Sequence, residues 1–214
     1  GKNIADIPNT LVASQFANVS GIKLNEQVAR QDHTGMNDTF LRTSRLLVFM
    51  LVPMGFYCYV FAEPVVKLFY QSSNFNAAAV TAAAMYLKLL AVTIFSIGIN
   101  AMVTRLFIAM QAIKQAFIYQ VVLNILLIAA IWICTKYYGE YGYPYGVIII
   151  NGFNVFAMYF ICRLLVPFID YAALLKYTGI IILINAVIVS GLHVALLPLK
   201  AYGPLVLVSG FLVY

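Results

Sequence analysis

Charge is what this sequence lacks most. Only 9% of its 214 residues are charged, whereas a soluble domain carries roughly 25%. Hydrophobic residues make up 64% of the chain and its mean hydropathy is +0.94, so lipid is the expected solvent for most of it. The 13 Lys and Arg against 7 Asp and Glu give a net charge of +6. The basic bias of cytoplasmic loops in membrane proteins explains that excess better than a nucleic-acid partner does.

Motifs of soluble enzymes are also missing. The chain contains no GxGxxG, GxxxxGK(S/T), GxSxG or HExxH pattern, so nothing indicates a nucleotide-binding loop, a serine nucleophile or a zinc protease. Cys58, Cys134 and Cys162 stand alone within apolar runs, which indicates small buried side chains instead of disulfides or a metal site. We therefore expect a protein that is not an enzyme and uses no cofactor.

Three long uncharged runs are present instead. They cover residues 115–135, 141–162 and 177–199, which is 21, 22 and 23 residues. A helix needs about 20 apolar residues to cross a hydrocarbon core of about 30 Å. The sequence therefore predicts an all-α fold, a polytopic bundle of helices integral to a membrane.

A more polar helix is predicted at the beginning of the chain, over about residues 3–25. Its polar side chains recur at spacings of three and four residues, which places them on one stripe of a helix. A membrane helix with such a stripe faces protein or water. The stripe consists of Asn3, Asp6, Thr10, Ser14 and Asn18.

The remaining predicted spans complete a single transmembrane domain over residues 1–214. We expect a charged loop from Lys23 to Arg45, a span over residues 46–62 with a kink at Pro53, and one long helix over residues 77–107. A last apolar run begins at Ala201, and the total is about seven spans. The chain opens without Met and stops inside that run, so we expect a fragment of a longer membrane protein.

Basic residues are distributed unequally between the two ends of these spans. The richer set predicts the cytoplasmic side of a multi-pass protein in the cytoplasmic membrane, with the loops near residues 30, 112 and 170 inside. That set is Lys23, Arg30, Arg42, Arg45, Arg105, Lys114, Arg163 and Lys176, against Lys67, Lys136 and Lys200 on the other side.

Few polar residues interrupt the apolar runs, and these are the candidate functional residues. Lys88 lies 11 residues after Ala77, roughly 16 Å along the predicted helix, so its ammonium group is expected near half the hydrocarbon depth, facing a polar cavity. Asp6 is the one carboxylate inside an apolar run and could relay a proton, bind a cation or pair with a base. Asn124, in the middle of the span 115–135, could bind a cation or hydrogen-bond a neighbouring helix, and helix packing is the preferred interpretation.

Several linked segments resemble the C-terminal half of the MurJ/MviN lipid II flippase family. Asp6-Ile-Pro8 is similar to the family's acid-aromatic-proline in a cavity-lining helix, and Leu51-Val-Pro53 to its next, proline-kinked helix. The segment from Glu63 to Phe69 resembles the family's outer "P...LF..G.F" segment, residues 107–114 resemble its short cytoplasmic turn, and Asn124 matches an Asn common in the following helix.

The resemblance implies a MATE-like fold of the multidrug, oligosaccharidyl-lipid and polysaccharide exporter superfamily. This chain would supply helices 8–14 of a 14-helix bundle, and the missing N-terminal half of the protein would supply the other lobe. The implied function is a flippase that moves a polyprenyl-diphosphate-linked saccharide, a cell-wall precursor, by alternating access to a cationic cavity. Lys88, Lys2, Asn3, Asp6 and Asn18 are the implied cavity residues, and a coupling cation would pass by Asn124.

Departures from the family pattern leave other functions open. Asn3 stands where the family has a cavity arginine, with Lys2 beside it, and Ala112 replaces the acid of the cytoplasmic turn. A flippase for another lipid-linked oligosaccharide, such as an O-antigen or polysaccharide precursor, is one alternative. A cation-coupled drug exporter is a second, although the scarcity of intramembrane acids disfavours it. A non-transporting membrane scaffold is the third.

Overall fold

A computed structural model describes residues 13–70 and 77–196 of the chain. These residues form eight α-helices with a single 3-10 turn, Gly139–Tyr141, and no strand. The all-α prediction is confirmed. The helices are α1 Ser14–Ala29, α2 His33–Val60, α3 Ala62–Tyr70, α4 Ala77–Ala91, α5 Ile94–Ala109, α6 Ile113–Tyr138, α7 Gly142–Leu165 and α8 Tyr171–Leu196.

Three helical stretches in the described part of the chain are long and apolar enough to cross a membrane. They are His33–Val60, Ile113–Leu165 and Tyr171–Gly191, and the bent pair α4 and α5 makes a fourth if it forms one span. Ile113–Leu165 contains both α6 and α7, which pack side by side, so this stretch folds back on itself. The membrane bundle is confirmed, while the first and last of the seven predicted spans fall partly or wholly outside the described residues.

The predicted loop from Lys23 to Arg45 is wrong. Only Arg30, Gln31 and Asp32 separate α1 from α2, and the Asp32 carboxylate caps α2 by accepting a hydrogen bond from the Gly35 amide at 2.8 Å. The density of charged residues indicates whether a segment lies in water or in lipid, but it does not indicate whether the backbone is helical. Lys, Glu, Gln and Arg are good helix formers, so both helices continue past the apolar layer.

The turns after α1 and α5 share one geometry. Gln31 has φ +55° and Gln111 has φ +57°, a left-handed conformation that glycine usually supplies at helix ends. In each turn the amide of the residue after the glutamine donates to a carbonyl in the last turn of the helix. Asp32 donates to the Gln27 carbonyl at 2.9 Å, and Ala112 donates to the Phe107 carbonyl at 2.9 Å. These tight reversals make α1 with α2, and α5 with α6, sequential neighbours without a long loop.

The single helix predicted over residues 77–107 is also wrong, because it breaks at Val92 and Thr93 with a bend of 45°. Side-chain hydroxyls replace regular helix bonds there. Thr93 Oγ1 donates to the Leu90 carbonyl at 2.8 Å, and Ser96 Oγ donates to the Thr93 carbonyl at 2.7 Å. Gly55 of α2 packs against the break, where a Cβ would lie 3.0 Å from the Ala91 carbonyl oxygen. The segment is apolar on both sides of the break, so hydropathy alone predicted one continuous helix.

Helix α2 is the central element of the bundle. It contacts α1, α4, α5 and α8, continues through Pro53, and buries Met36, Phe40, Leu47 and Leu51 almost completely. In a bilayer such contacts stabilise through van der Waals packing, because lipid is as apolar as the side chains.

Contacts between distant turns define the two ends of the bundle. The His33 and Phe168 rings lie 4.4 Å apart, and the Asp170 amide donates to Asn37 Oδ1 at 2.9 Å. The turns near residues 30 and 170 are therefore together at one end, as the charge distribution predicts. The turn Gly139–Tyr141 lies beside α4, since the Tyr86 and Tyr141 rings are 5.9 Å apart.

Candidate functional site

Asn18, a member of the predicted polar stripe, meets a cation on α5. Asn18 Oδ1 accepts a hydrogen bond from Arg105 Nη2, which joins α1 to α5. Gly21 lies one turn further along α1 and lets the arginine lie across the helix, because a Cβ there would be 3.3 Å from Arg105 Cδ. The predicted cavity residue Asn18 is thus exposed and holds a guanidinium group.

Sequence reasoning missed Arg105 as a site residue and counted it only among the cytoplasmic charges. A signal was present, because Arg105 is a cation within the predicted apolar helix over residues 77–107, and the polar residue Thr104 precedes it. Among the described residues, Asn18 is the one hydrogen-bond partner recorded for the Arg105 side chain, and no ion pair neutralises it. A guanidinium has five donors, so most of them remain free for an anion.

Asn100 adds an unsatisfied acceptor to the same helix. Its Oδ1 atom is buried and has no partner among the described residues, while its backbone carbonyl accepts a bond from Thr104 Oγ1 at 2.8 Å. Leaving a buried acceptor unpaired costs about 1–3 kcal/mol, so such an atom is normally met by water or by a bound polar group. Asn18, Asn100, Thr104 and Arg105 together form what we name the α1/α5 polar cluster.

Lys88 lies in the last turn of α4, just before the helix break. Lys88 is half-buried there, and its charge makes a minor contribution to lowering the pKa of Glu63 in α3. The larger cause of that lowered pKa is the hydrogen bond and ion pair that Glu63 Oε1 makes with Lys67 Nζ at 2.8 Å. Lys88 precedes the break in the bent pair α4 and α5, and Arg105 lies near the end of α5, so about 26 Å of helix separates them.

The other predicted site residues divide into two groups. Lys2, Asn3 and Asp6 lie outside the described residues. Asn124 is exposed on α6 and accepts a hydrogen bond from Gln120 Nε2, one turn earlier, at 3.4 Å. Within residues 13–70 and 77–196, no group of three or more His, Cys, Asp or Glu side chains could hold a metal ion.

Two other intramembrane asparagines, Asn151 and Asn154, join neighbouring helices. Asn154 Oδ1 accepts a hydrogen bond from the Tyr119 hydroxyl of α6, and Asn151 Oδ1 accepts one from Ser96 Oγ of α5 at 2.9 Å. All three cysteines are free and buried, in agreement with their interpretation as small buried side chains. None of these residues belongs to the α1/α5 polar cluster.

Long apolar helices that carry a polar, cationic cluster define a polytopic helical membrane protein. Comparison with known proteins narrows the class: the family model of the lipid II flippase MurJ matches residues 1–211. The chain belongs to this family.

Fold comparison agrees with that assignment. A solved structure titled lipid II flippase MurJ, inward closed conformation, matches with a TM-score of 0.71 and 15% sequence identity. The match covers 97% of this chain and 43% of the flippase, so the chain spans less than half the length of that relative. At such low identity the likeness establishes the fold alone. A search of proteins with curated descriptions found no match.

Proposed function

We propose that this chain forms the C-terminal lobe of a flippase for a polyprenyl-diphosphate-linked saccharide in the cytoplasmic membrane, which works by alternating access. The observation that carries the proposal is the Arg105 guanidinium, held on the polar stripe of α1 in a chain of the lipid II flippase family. A diphosphate is the anionic part of such a substrate, and arginine is well suited to bind phosphate oxygens through two donors at once. The polyprenyl tail would stay in the bilayer.

The two cations suggest a path for the diphosphate. Arg105 lies toward the end that carries the turns near residues 30 and 112, so it would attract the diphosphate from the cytoplasm. Lys88, just before the break between α4 and α5, would receive it next. Lys2, Asn3, Asp6 and Asn18 would extend the polar wall between the lobes, and the missing N-terminal half would close the cavity. Such rocking of two lobes about a central site is a general transporter mechanism.

A coupling cation is a further part of the proposal. Asn124 and Gln120 offer neutral amide oxygens one turn apart on α6, which suit a monovalent cation better than a divalent one. We propose that this pair lies on the cation path. Substitution of Asn124 by Ala should then change the ion dependence of transport and leave substrate binding intact.

Transport assays test the proposal on the full-length protein that contains this chain. Reconstituted in liposomes, it should move a fluorescent polyprenyl-diphosphate saccharide, and Arg105→Ala should reduce the rate at least about tenfold by removing a charge-assisted phosphate contact. Arg163→Ala, which removes an exposed cation of α7, is the matched control and should transport normally. An unchanged rate for Arg105→Ala would remove this residue from the mechanism, and an inactive wild type would favour the scaffold alternative.

Lys88 has its own test. Lys88→Ala should slow transport, whereas Lys67→Ala removes a cation that is already paired with Glu63 and should have little effect. If Lys88→Ala moves substrate at the wild-type rate, Lys88 has no part in the path.

A further inference from the structure

A second basic site lies between α2 and α8, away from the α1/α5 polar cluster. It is a pocket of about 460 Å³ near the end of the bundle that holds the turns at residues 30 and 170. Polar and apolar side chains line it together. They are Arg42, Thr43, Arg45, Leu46, Phe49 and Tyr177.

The two arginines of this pocket are available for an anion. They lie three residues apart, on one face of α2, and both are exposed. Among residues 13–70 and 77–196 the recorded ion pair is that of Glu63 with Lys67, so neither arginine is neutralised by a carboxylate, not even by Asp38 one turn earlier. Arg45 is positioned by α8, because its guanidinium carbon lies 5.7 Å from the ring centre of Tyr177.

Apolar side chains continue from the arginines toward the centre of the bundle. Leu46 is 42% and Phe49 58% exposed, so both add apolar surface to the pocket that the two arginines line. The same stripe of α2 continues at seven-residue spacing from Phe49 to Phe56. There it reaches a second pocket of about 380 Å³, which also includes Val92 beside the helix break and Ile182 of α8.

We name the two pockets, together with the face of α2 that joins them, the groove between α2 and α8. Its length matches one leaflet of a bilayer. From Arg45 to Phe56 the helix rises about 16 Å, and half of a hydrocarbon core of about 30 Å is about 15 Å. A cationic end followed by one leaflet depth of apolar groove complements a glycerophospholipid with an anionic headgroup. A polyprenyl tail is longer than a leaflet is deep, so the groove fits the transported substrate less well.

We propose that the groove between α2 and α8 binds an anionic glycerophospholipid of the cytoplasmic leaflet. Arg42 and Arg45 hold its phosphate, and Leu46, Phe49 and Phe56 contact an acyl chain. Basic pockets between membrane helices on the cytoplasmic side commonly bind such headgroups. The proposal does not depend on transport, since a scaffold with this groove would bind the same lipid.

Native mass spectrometry of the full-length protein tests the proposal. Phosphatidylglycerol and phosphatidylcholine with identical acyl chains are added in turn, and the wild type should retain the anionic lipid preferentially. Arg42→Gln with Arg45→Gln should weaken phosphatidylglycerol retention about tenfold or more, since each cation near a membrane surface contributes substantially to the binding of anionic lipid. Arg42→Lys with Arg45→Lys should keep most of the preference, which separates loss of charge from loss of fold.

A matched control removes two cations elsewhere at the same end. Lys114→Gln with Arg163→Gln makes the same change in charge on the exposed ends of α6 and α7, outside the groove, and should leave retention unchanged. Tyr177→Leu should weaken retention by a few fold, whereas Tyr177→Phe keeps the ring beneath Arg45 and should not.

Four results would overturn the proposal. They are equal retention of the two lipids by the wild type, an equal loss in the control pair, and displacement of phosphatidylglycerol by an equimolar polyprenyl phosphate, which would assign the groove to the substrate. The fourth is no lipid retained by the wild type, which would mean that the rest of the chain covers the groove.

Discussion

Helices pack differently in two regions of the molecule, the hairpin of α6 and α7 and the interface between α1 and α5. In the hairpin, two small residues bring the backbones into contact: a Cβ on Gly142 would lie 2.2 Å from Thr135 Cα, and one on Gly146 would lie 2.9 Å from Ile131 Cα. At the other interface Gly21 makes room for a long cationic side chain instead of a backbone. The same residue type thus tightens one interface and admits a charge into the other.

The outer faces of the two regions differ in the same way. The hairpin exposes large apolar side chains, such as Trp132 and Phe156, each more than 65% exposed, as a surface in contact with lipid would. The α1/α5 polar cluster exposes Asn18 and Thr104 next to Arg105. Close backbone packing suits a structural support, whereas a guanidinium with donors to spare suits contact with water and a polar ligand.

The largest effect is expected from Gly142→Ala in the hairpin. The added methyl group would collide with the backbone of residues 134 and 135, which cannot move away as a side chain could. We expect a loss of at least about 3 kcal/mol and little folded protein in detergent, measured by size-exclusion chromatography and thermal unfolding. Gly152→Ala is the control, because a Cβ there meets nothing within 4 Å. Equal behaviour of the two variants would contradict backbone contact in the hairpin.

Asn18→Asp should separate stability from function at the α1/α5 polar cluster. The new carboxylate would pair with Arg105 and occupy the donors proposed for phosphate. We expect transport to fall about tenfold while thermal stability is unchanged or rises by up to about 1 kcal/mol. Gln115→Glu adds the same charge at an exposed position of α6 and should transport normally. If Asn18→Asp transports normally, Arg105 does not hold the diphosphate.

Tyr119→Phe measures the polar contribution inside the hairpin. It removes the hydrogen bond to the buried Asn154 side chain. Interhelical bonds in membranes contribute about 0.6 kcal/mol on average and up to about 1.7 kcal/mol, so we expect a loss within that range in a thermal unfolding assay. Tyr137→Phe, at an exposed position of the same helix, should cost nothing. A loss as large as that of Gly142→Ala would show that hydrogen bonding, and not backbone contact, holds the hairpin.

The smallest effect is expected at the exposed pair of Glu63 and Lys67, which belongs to neither region. Both side chains are about half exposed, and i,i+4 pairs of this kind contribute about 0.3–0.5 kcal/mol, so Glu63→Gln should cost no more than that at pH 7. The folded-state pKa of Glu63 is lowered from its usual 4.5, chiefly by the hydrogen bond from Lys67. Its contribution is therefore present above pH 4.5 and disappears as the pH falls through the lowered value.

The check is to measure unfolding of wild type and Glu63→Gln at pH 7 and again near pH 3. The two proteins should differ slightly at pH 7 and converge at the lower pH. A difference that grows on acidification would contradict the direction of the pKa shift.

The parts of the fold that could be predicted from sequence are those that depend on the solvent. The apolar run at residues 115–135 lies within α6, and those at 141–162 and 177–199 coincide with α7 and α8 over residues 142–162 and 177–196, because only a helix satisfies its backbone inside hydrocarbon. The loop predicted from Lys23 to Arg45 was wrong, because charged residues show where water begins and not where a helix ends. The break at Thr93 was not predicted, because the hydrogen bond from the Thr93 hydroxyl to the Leu90 carbonyl does not change the hydropathy of the segment.

The site was predictable in part. Asn18 was selected through its spacing along a predicted helical stripe, which can be recognised from the sequence of a single helix. Arg105 was missed because its role depends on a neighbour 87 residues away in the chain. Lys88 was recognised as a rare intramembrane cation, but its relation to Glu63 required the packing of α3 beside α4.

By itself the sequence determined that this chain is a helical membrane protein and that it resembles one flippase family. Scarcity of charge, the length of apolar runs and the order of short motifs can all be read directly from a sequence. Only the tertiary structure decided which polar groups meet. It set Arg105 on Asn18, aligned Arg42 and Arg45 with Tyr177, and bent α4 against α5. These outcomes depend on contacts between residues far apart in sequence, and such contacts exist only once helices pack against one another.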